Sequence, residues 1–243
     1  MRELRVHGEI DSTSSHLMAR AGAEKIDGVV CVADRQTNGR GRRGRTWLTP
    51  SGGSIALSFG REIAVAVAEV APLSLIVGLA VAKAIERFNI CGISLKWPND
   101  VLLDGAKVGG ILIELVGITF PLLAVIGVGI NIGSGAEVAA RLGTPVGDVL
   151  AQRRNLSRSD LIAEVISNIH DLTTRFESQG FSGMRSEWEQ LHFHQNRRVK
   201  VIGVNETVEG VARGVTASGE LVLETSLGIR YFSGGEVSLR GEL

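Results

Sequence analysis

Four arginines, Arg40, Arg42, Arg43 and Arg45, crowd into six positions with Gly41 and Gly44, within a run over residues 36–47 that opens on Gln36 and closes on Trp47. Guanidinium groups hold phosphates and carboxylates through paired N–H donors, and glycine lets the backbone bend closely around a ligand, so the run reads as an anion-gripping loop. Gly39, Gly41 and Gly44 also spell a dinucleotide fingerprint after a strand-like run at 29–33. Such a fingerprint opens a helix, whereas here Thr46, Trp47, Leu48, Thr49 and Pro50 lead into Ser51-Gly52-Gly53 without helical period, which argues against a Rossmann turn. A solvated basic loop is the plain alternative. The company the loop keeps argues against it: Lys96-Trp97-Pro98-Asn99-Asp100, then Lys107-Val108-Gly109-Gly110, then Gly127-Val128-Gly129-Ile130-Asn131.

These stretches converge on an anionic ligand that reacts. Charge growing on the oxygens around a phosphorus under attack is stabilised by lysine and arginine placed there in advance. Asp100 and Asn99 offer hard oxygens of the kind Mg²⁺ takes, directly or through water, although Pro-Asn-Asp is also ordinary turn chemistry. No sequence ending in Gly-Lys-Ser or Gly-Lys-Thr occurs, so ATP would be held without a P-loop. Other chemistries recede. His192 and His194 have no cysteine or third histidine at zinc spacing and read as surface or interdomain residues. No Gly-x-Ser-x-Gly elbow is present, and Cys31 lies in an apolar strand, a core position.

The elements that must position these groups follow from patterning. Residues 6–10 form a first strand, and Ser12, Thr13 and Ser14 cap a helix that Gly22 closes, with spare hydroxyls for a polar ligand head. Residues 29–33 deliver Gln36 and the arginine loop to one end of a sheet, and 54–59 alternate as a returning strand. A helix spans 72–88. Strands at 93–95, 101–103, 107–116 and 122–128 are joined by tight turns, Asp104-Gly105 among them, so the sheet is mixed and largely antiparallel. Residues 133–147 read as a loop, 159–176 as an amphipathic helix, and 181–191 as its helical continuation. Five short strands (198–204, 207–215, 220–225, 229–232, 236–239), with turns at Asn205, Ser218-Gly219, Gly228 and Gly234-Gly235, then suggest a small SH3-like barrel. The expected division is 1–195 and 196–243, an α+β domain followed by the barrel.

Bulk properties narrow the class. With 243 residues, 44% of them apolar, the chain builds a large core, and 26 acidic against 26 basic residues give no global attraction to nucleic acid. Two cysteines, Cys31 and Cys91, fit small buried residues in a reducing compartment, hence a cytoplasmic protein. The apolar run at 70–82 contains Pro72 and is too short to span a bilayer, which needs about 20 residues.

Together the four stretches, in their order and spacing, resemble those of the biotin protein ligases, and the resemblance covers nearly the whole chain. It implies a class II synthetase-like catalytic domain with a C-terminal SH3-like domain. The implied chemistry is biotin plus MgATP giving biotinyl-5′-AMP and pyrophosphate, then transfer to one lysine of a biotin carboxyl carrier protein of a carboxylase. It further implies that Ser12, Thr13, Ser14, Gln36, Gly39 and the Arg40-Gly41-Arg42 loop hold biotin with Gly109 and Gly110. Lys107 would bridge the biotin carboxylate and the α-phosphate, with Arg42 beside it. Arg45, Trp47, Lys96, Asn99, Asp100 and Asn131 would hold the nucleotide, and Asp100 and Asn99 the metal. Ser14 stands where the family commonly has Asn. Only 11 residues precede Ser12, so DNA binding is not expected; a homodimer is compatible with the chain. Residues 39–48 are expected to be mobile without ligand. A lipoate ligase shares the fold but not these motifs, its usual Arg-Arg followed by a Gly-Gly-Gly run being missing. An RNA-binding module is disfavoured by neutral charge and only 5% aromatic residues.

Overall fold

The computed structural model describes residues 1–202 and 206–233, together with the backbone of residues 238–241. The elements are β1 (Glu3–Ile10), α1 (Thr13–Arg20), β2 (Val29–Gln36), β3 (Ser54–Ile63), α2 (Leu73–Glu86), β4 (Ile93–Lys96), β5 (Asp100–Leu103), β6 (Ala106–Val116), β7 (Leu122–Asn131), α3 (Gly135–Leu142), α4 (Val149–Gln152), α5 (Arg158–Gln179), α6 (Arg185–Gln190), β8 (Arg198–Ile202), β9 (Thr207–Val215), β10 (Leu221–Thr225), β11 (Gly228–Phe232) and β12 (Ser238–Gly241). Seven strands form one sheet in the order β1-β2-β3-β7-β6-β5-β4, and five form a second in the order β11-β10-β9-β8-β12. In the first sheet only β1 and β2 run parallel, so it is mixed and largely antiparallel. The second sheet is antiparallel throughout. This is the α+β architecture with a small C-terminal β unit that the patterning called for.

Side chains alternate across a strand, and β2 shows what each face of the large sheet does. Val30 and Val32 join the main core with α2 and α5, while Val29 and Cys31 join a smaller core under α1 with Leu17, Ile26 and Val125. Cover on both faces buries β3 almost continuously, so residues 54–59 do not show the alternating exposure expected of them. In α2 nearly every side chain is buried, Leu79 and Ile76 among the largest, and each contributes about 1.5–3 kcal/mol of apolar burial.

Three other expectations change. The stretch 133–147 contains α3, whose Val138 faces inward and whose C-terminus is closed by Gly143 at φ 67. The signal was present, with Ser134 ahead of Val138 and Leu142 and a glycine after, but it is short. The helical continuation at 181–191 is broken into a 3₁₀ turn, Phe181–Gly183, and α6. Cys91 is exposed while Cys31 is buried; both are free thiols. The Asp104-Gly105 hairpin has the two positive φ values its sequence demands, 50 and 77. The expected turns at Asn205 and Gly234-Gly235, and the start of the last strand, lie outside the described residues. No helix among the described residues is long and apolar enough to cross a membrane.

Candidate active site

The cavity forms on the α1 face of the large sheet, and register explains its floor. Ser58 pairs with Gly127 and Ala56 with Gly129 across β3 and β7, and Gly127 and Gly129 pair with Leu112 and Gly110 across β6 and β7. These positions share the face of Val125, which lies under α1, so where the helix stops the glycines leave a trough. Each glycine is needed by a neighbour. A Cβ on Gly127 would stand 2.8 Å from Ser14 Oγ, one on Gly129 would stand 2.3 Å from the Trp47 indole, and one on Gly110 would stand 3.3 Å from the same ring.

The resulting cavity, of about 310 Å³, is lined by Ser12, Thr13, Ser14 and Gln36 at one end and by Arg42, Arg45 and Lys107 at the other, with Arg40 reaching back to Ser15 of α1. Gly41, Trp47, Asn99, Gly110 and Asn131 also line it, as do Val138, Leu142 and Val146, which came from the stretch read as a loop. Among the described residues in its wall there are four cations and no acid. Such a wall is made for an anion.

At the neutral end Ser12 caps α1, its hydroxyl accepting from Ser15 N at 3.3 Å. Thr13 donates to Gln36 Oε1 from its backbone N–H at 2.8 Å and from Oγ1 at 3.1 Å, and Gln36 Nε2 donates to Thr49 Oγ1 at 3.2 Å. Thr13 Oγ1 and Ser14 Oγ both bond Ser58 Oγ, at 2.8 and 2.9 Å. Ser58 and Thr49 were missed from sequence. Ser58 left one signal, a lone hydroxyl in the apolar run Ile55-Ala56-Leu57-Ser58-Phe59. Thr49 left none.

At the charged end the arginine loop is a short hairpin. Trp47 N donates to Gly39 O at 2.9 Å and Gly41 N to Arg45 O at 2.7 Å, around a 3₁₀ turn, Arg42–Gly44. Arg43 occupies the left-handed region at φ 59, a strained setting for a residue other than glycine. Arg40 pairs with Glu114 at 2.6 Å, an exposed pair worth at most about 1 kcal/mol, and donates to Ser15 Oγ at 3.4 Å, so the loop is tied lightly to β6 and α1. Arg42 donates to Asn99 Oδ1 at 3.2 Å, and burial, then the neighbouring Arg43 charge, lower its pKa below the usual guanidinium value. Lys107 Nζ stands 2.7 Å from Asp100 and 5.6 Å from the centre of the Trp47 ring. Asn131 Oδ1 and Trp47 Nε1 are buried polar atoms with no partner, open to an incoming donor and acceptor respectively.

Four expected site residues do not line the cavity. Asp100 acts on it through Lys107. Lys96 is half-buried, opposite Asp100 in register. Gly39 and Gly109 are packing glycines, whose Cβ atoms would stand 2.3 Å from Trp47 O and 3.0 Å from Gly129 O. As for a metal, Asn99 spends Oδ1 on Arg42 and Nδ2 on Ile111 O, so its amide is a bracket for the loop, and Asp100 already holds a cation.

Of the surface and interdomain alternatives for His192 and His194, burial removes the first, and it pushes both pKa values down to about 4. They lie where Leu95 pairs with the segment after α6, against Trp188 and Phe193. Elsewhere His7, His16 and Cys31 place potential ligand atoms within 4.8 Å of one another. There His16 Nδ1 stands 3.2 Å from Arg20 Nη1 and so must accept from it, leaving the proton on Nε2, and burial pushes the Cys31 thiol up to about 11. Both features oppose a cation.

Residues 9–131 match the Biotin/lipoate A/B protein ligase family, and residues 194–240 match the Biotin protein ligase C terminal domain. The chain is 35% identical over 232 residues to the bifunctional ligase/repressor BirA of Escherichia coli, covering 95% of this chain and 72% of that protein. It is 36% identical over 244 residues to the biotin–[acetyl-CoA-carboxylase] ligase of Mycobacterium tuberculosis, covering 97% and 88%. Among solved structures, the Aquifex aeolicus biotin protein ligase in complex with biotin and ATP superposes with a TM-score of 0.85 at 29% identity, over 100% of both chains. The two-ended cavity, the paired domain matches and the full-length likeness agree: this chain belongs to the biotin protein ligase family.

Proposed function

We propose that the chain joins biotin to a lysine of a biotin carboxyl carrier protein in two steps within this cavity. The observation that carries the reading is the wall itself, four cations and no acid, with three of the cations at one end and neutral hydrogen-bonding groups at the other. A biotin carboxylate and ATP repel one another, and cations between them offset that repulsion and bring the reacting atoms to attack distance. In the first step a carboxylate oxygen attacks the α-phosphorus, and the bond to the β-phosphate breaks with its electron pair leaving on pyrophosphate. In the second, the acceptor ε-amine attacks the acyl carbon, AMP leaves, and the amine loses a proton. Magnesium, when bound, would supply further positive charge to offset that of the triphosphate.

The roles divide by end. Ser12, Thr13, Ser14 and Gln36 take the ureido ring, and Gly110, flat against Trp47, lets the acyl chain pass. Lys107 turns from Asp100 to the carboxylate and α-phosphate, with Arg42 beside it. Arg45 and Asn131 take the nucleotide, and Asp100 is the carboxylate available to the metal once Lys107 turns away. Arg40 and the loop exclude water from the mixed anhydride, which would otherwise hydrolyse. Residues 1–195 carry this chemistry, and the described part of 196–243 packs against it; Trp97 Nε1 donates to Gly219 O at 3.0 Å across that boundary. Incubation with biotin, MgATP and a carrier domain, read by streptavidin blot, tests the reading: a labelled carrier is expected, and an unlabelled one with biotin and ATP in excess would overturn it.

A further inference from the structure

Beneath the neutral end, Ser58 touches the cavity only through other side chains. It is wholly buried on β3, opposite Gly127, and its hydroxyl bonds both Thr13 Oγ1 and Ser14 Oγ. The direction of these bonds follows from proton counting. Thr13 N–H donates to Gln36 Oε1, so that atom is an acceptor, and Thr13 Oγ1 must donate its single proton to the same oxygen. With that proton spent, Thr13 Oγ1 accepts from Ser58 Oγ. Ser58, its own proton spent, then accepts from Ser14 Oγ. The chain runs Ser14 to Ser58 to Thr13 to Gln36 to Thr49, every hydroxyl up to Gln36 donating to the next member of the chain. Toward a ligand, Thr13 and Ser14 are left with lone pairs only.

Resting on the biotin reading above, we propose that Ser58 is a positioning residue that sets this polarity. It makes Thr13 and Ser14 acceptors and so selects acids whose distal ring carries N–H donors, as a ureido ring does. Without Ser58 the Ser14 hydroxyl turns freely, and an acceptor array becomes one that presents donors and acceptors alike. The role concerns the head group alone, since the Ser58 hydroxyl bonds Thr13 and Ser14 and none of the cations.

The test is Ser58→Ala in the full chain, followed by biotin-dependent ATP–pyrophosphate exchange. The KM for biotin should rise about tenfold, as for a lost buried hydrogen-bond partner, with kcat and the KM for ATP within about twofold of wild type. Octanoic acid, which has the carboxylate but no N–H donors, should compete with biotin with an inhibition constant unchanged within about twofold. Ser58→Cys keeps a weak donor in a similar volume, should raise the KM by about threefold, and decides the matter if the alanine variant does not fold. A biotin KM that stays at the wild-type value, or an octanoic acid constant that weakens as much as biotin does, overturns the proposal. A wild-type chain that forms no adenylate from biotin instead removes the reading on which it rests, and the proposal with it.

Discussion

The two ends of the cavity are built on opposite plans. At the neutral end the hydroxyls of Thr13, Ser14 and Ser58 and the amide of Gln36 bond one another, and Thr13, Ser14 and Ser58 are buried. A ligand there meets groups already fixed by their neighbours, which costs little reorganisation. The positive groups have partners that an anion must replace: Lys107 holds Asp100, Arg42 the Asn99 amide, Arg45 the Arg42 carbonyl, and Arg40 both Glu114 and Ser15. Substrate arrival there is an exchange of partners, with Asn131 Oδ1 and Trp47 Nε1 left over to be satisfied. The difference separates recognition, which wants rigidity, from chemistry, which wants charge that can be redirected as the transition state forms.

That contrast is open to attack at several points. The largest effect should come from Lys107→Ala, which removes the cation both acids need: exchange should fall about 10³-fold, and Arg42→Ala about 10²-fold, while circular dichroism melting shows both variants folded. Exchange at the wild-type rate in either would remove that residue from the chemistry. Next, Gly129→Ala should evict the Trp47 indole, with a fall in exchange of about tenfold or more and altered tryptophan fluorescence; an unchanged spectrum would mean the ring does not depend on that bare backbone. Arg40→Ala should cost only about fivefold, because its bond to Glu114 is exposed, but should leave residues 39–48 more readily nicked by protease, with biotin plus ATP protecting the wild type far better than the variant. Smallest of all, raising salt from about 0.05 to 0.5 M should raise the KM for ATP about threefold and leave inhibition by the uncharged alcohol of biotin within about twofold. Equal sensitivity at both ends would erase the distinction.

Much of this was legible in advance because it rests on local chemistry. The Asp104-Gly105 hairpin, the cap at Ser12, the long periodic helix that became α5 and the break in helical period after Trp47 all follow from short-range backbone preference. Charge density marked the loop, and eleven of the residues assigned to ligands from motifs do line the cavity beside Lys107 and Arg42. Hidden from the sequence were the contacts set by how the elements pair and pack. Nothing local announces that Lys107 stands beside Asp100 across the β5–β6 hairpin. Of the surface and interdomain settings expected for His192 and His194, the burial that excludes the first depends on Trp188 and on the pairing with Leu95, which Leu-His-Phe-His does not announce.

By itself the sequence determined which residue types would gather: cations in a glycine-rich turn, hydroxyls at a helix start, and bare backbone at Gly110, Gly127 and Gly129. These are properties of spacing and composition, and they survive any packing that keeps the elements in place. Only the tertiary structure decided which face of β7 those glycines occupy, which cation each acid holds, and that Ser58 lies under Thr13 and Ser14. Register across β3, β7 and β6 is a matter of which strands pair, and a shift of one residue would turn the trough into core.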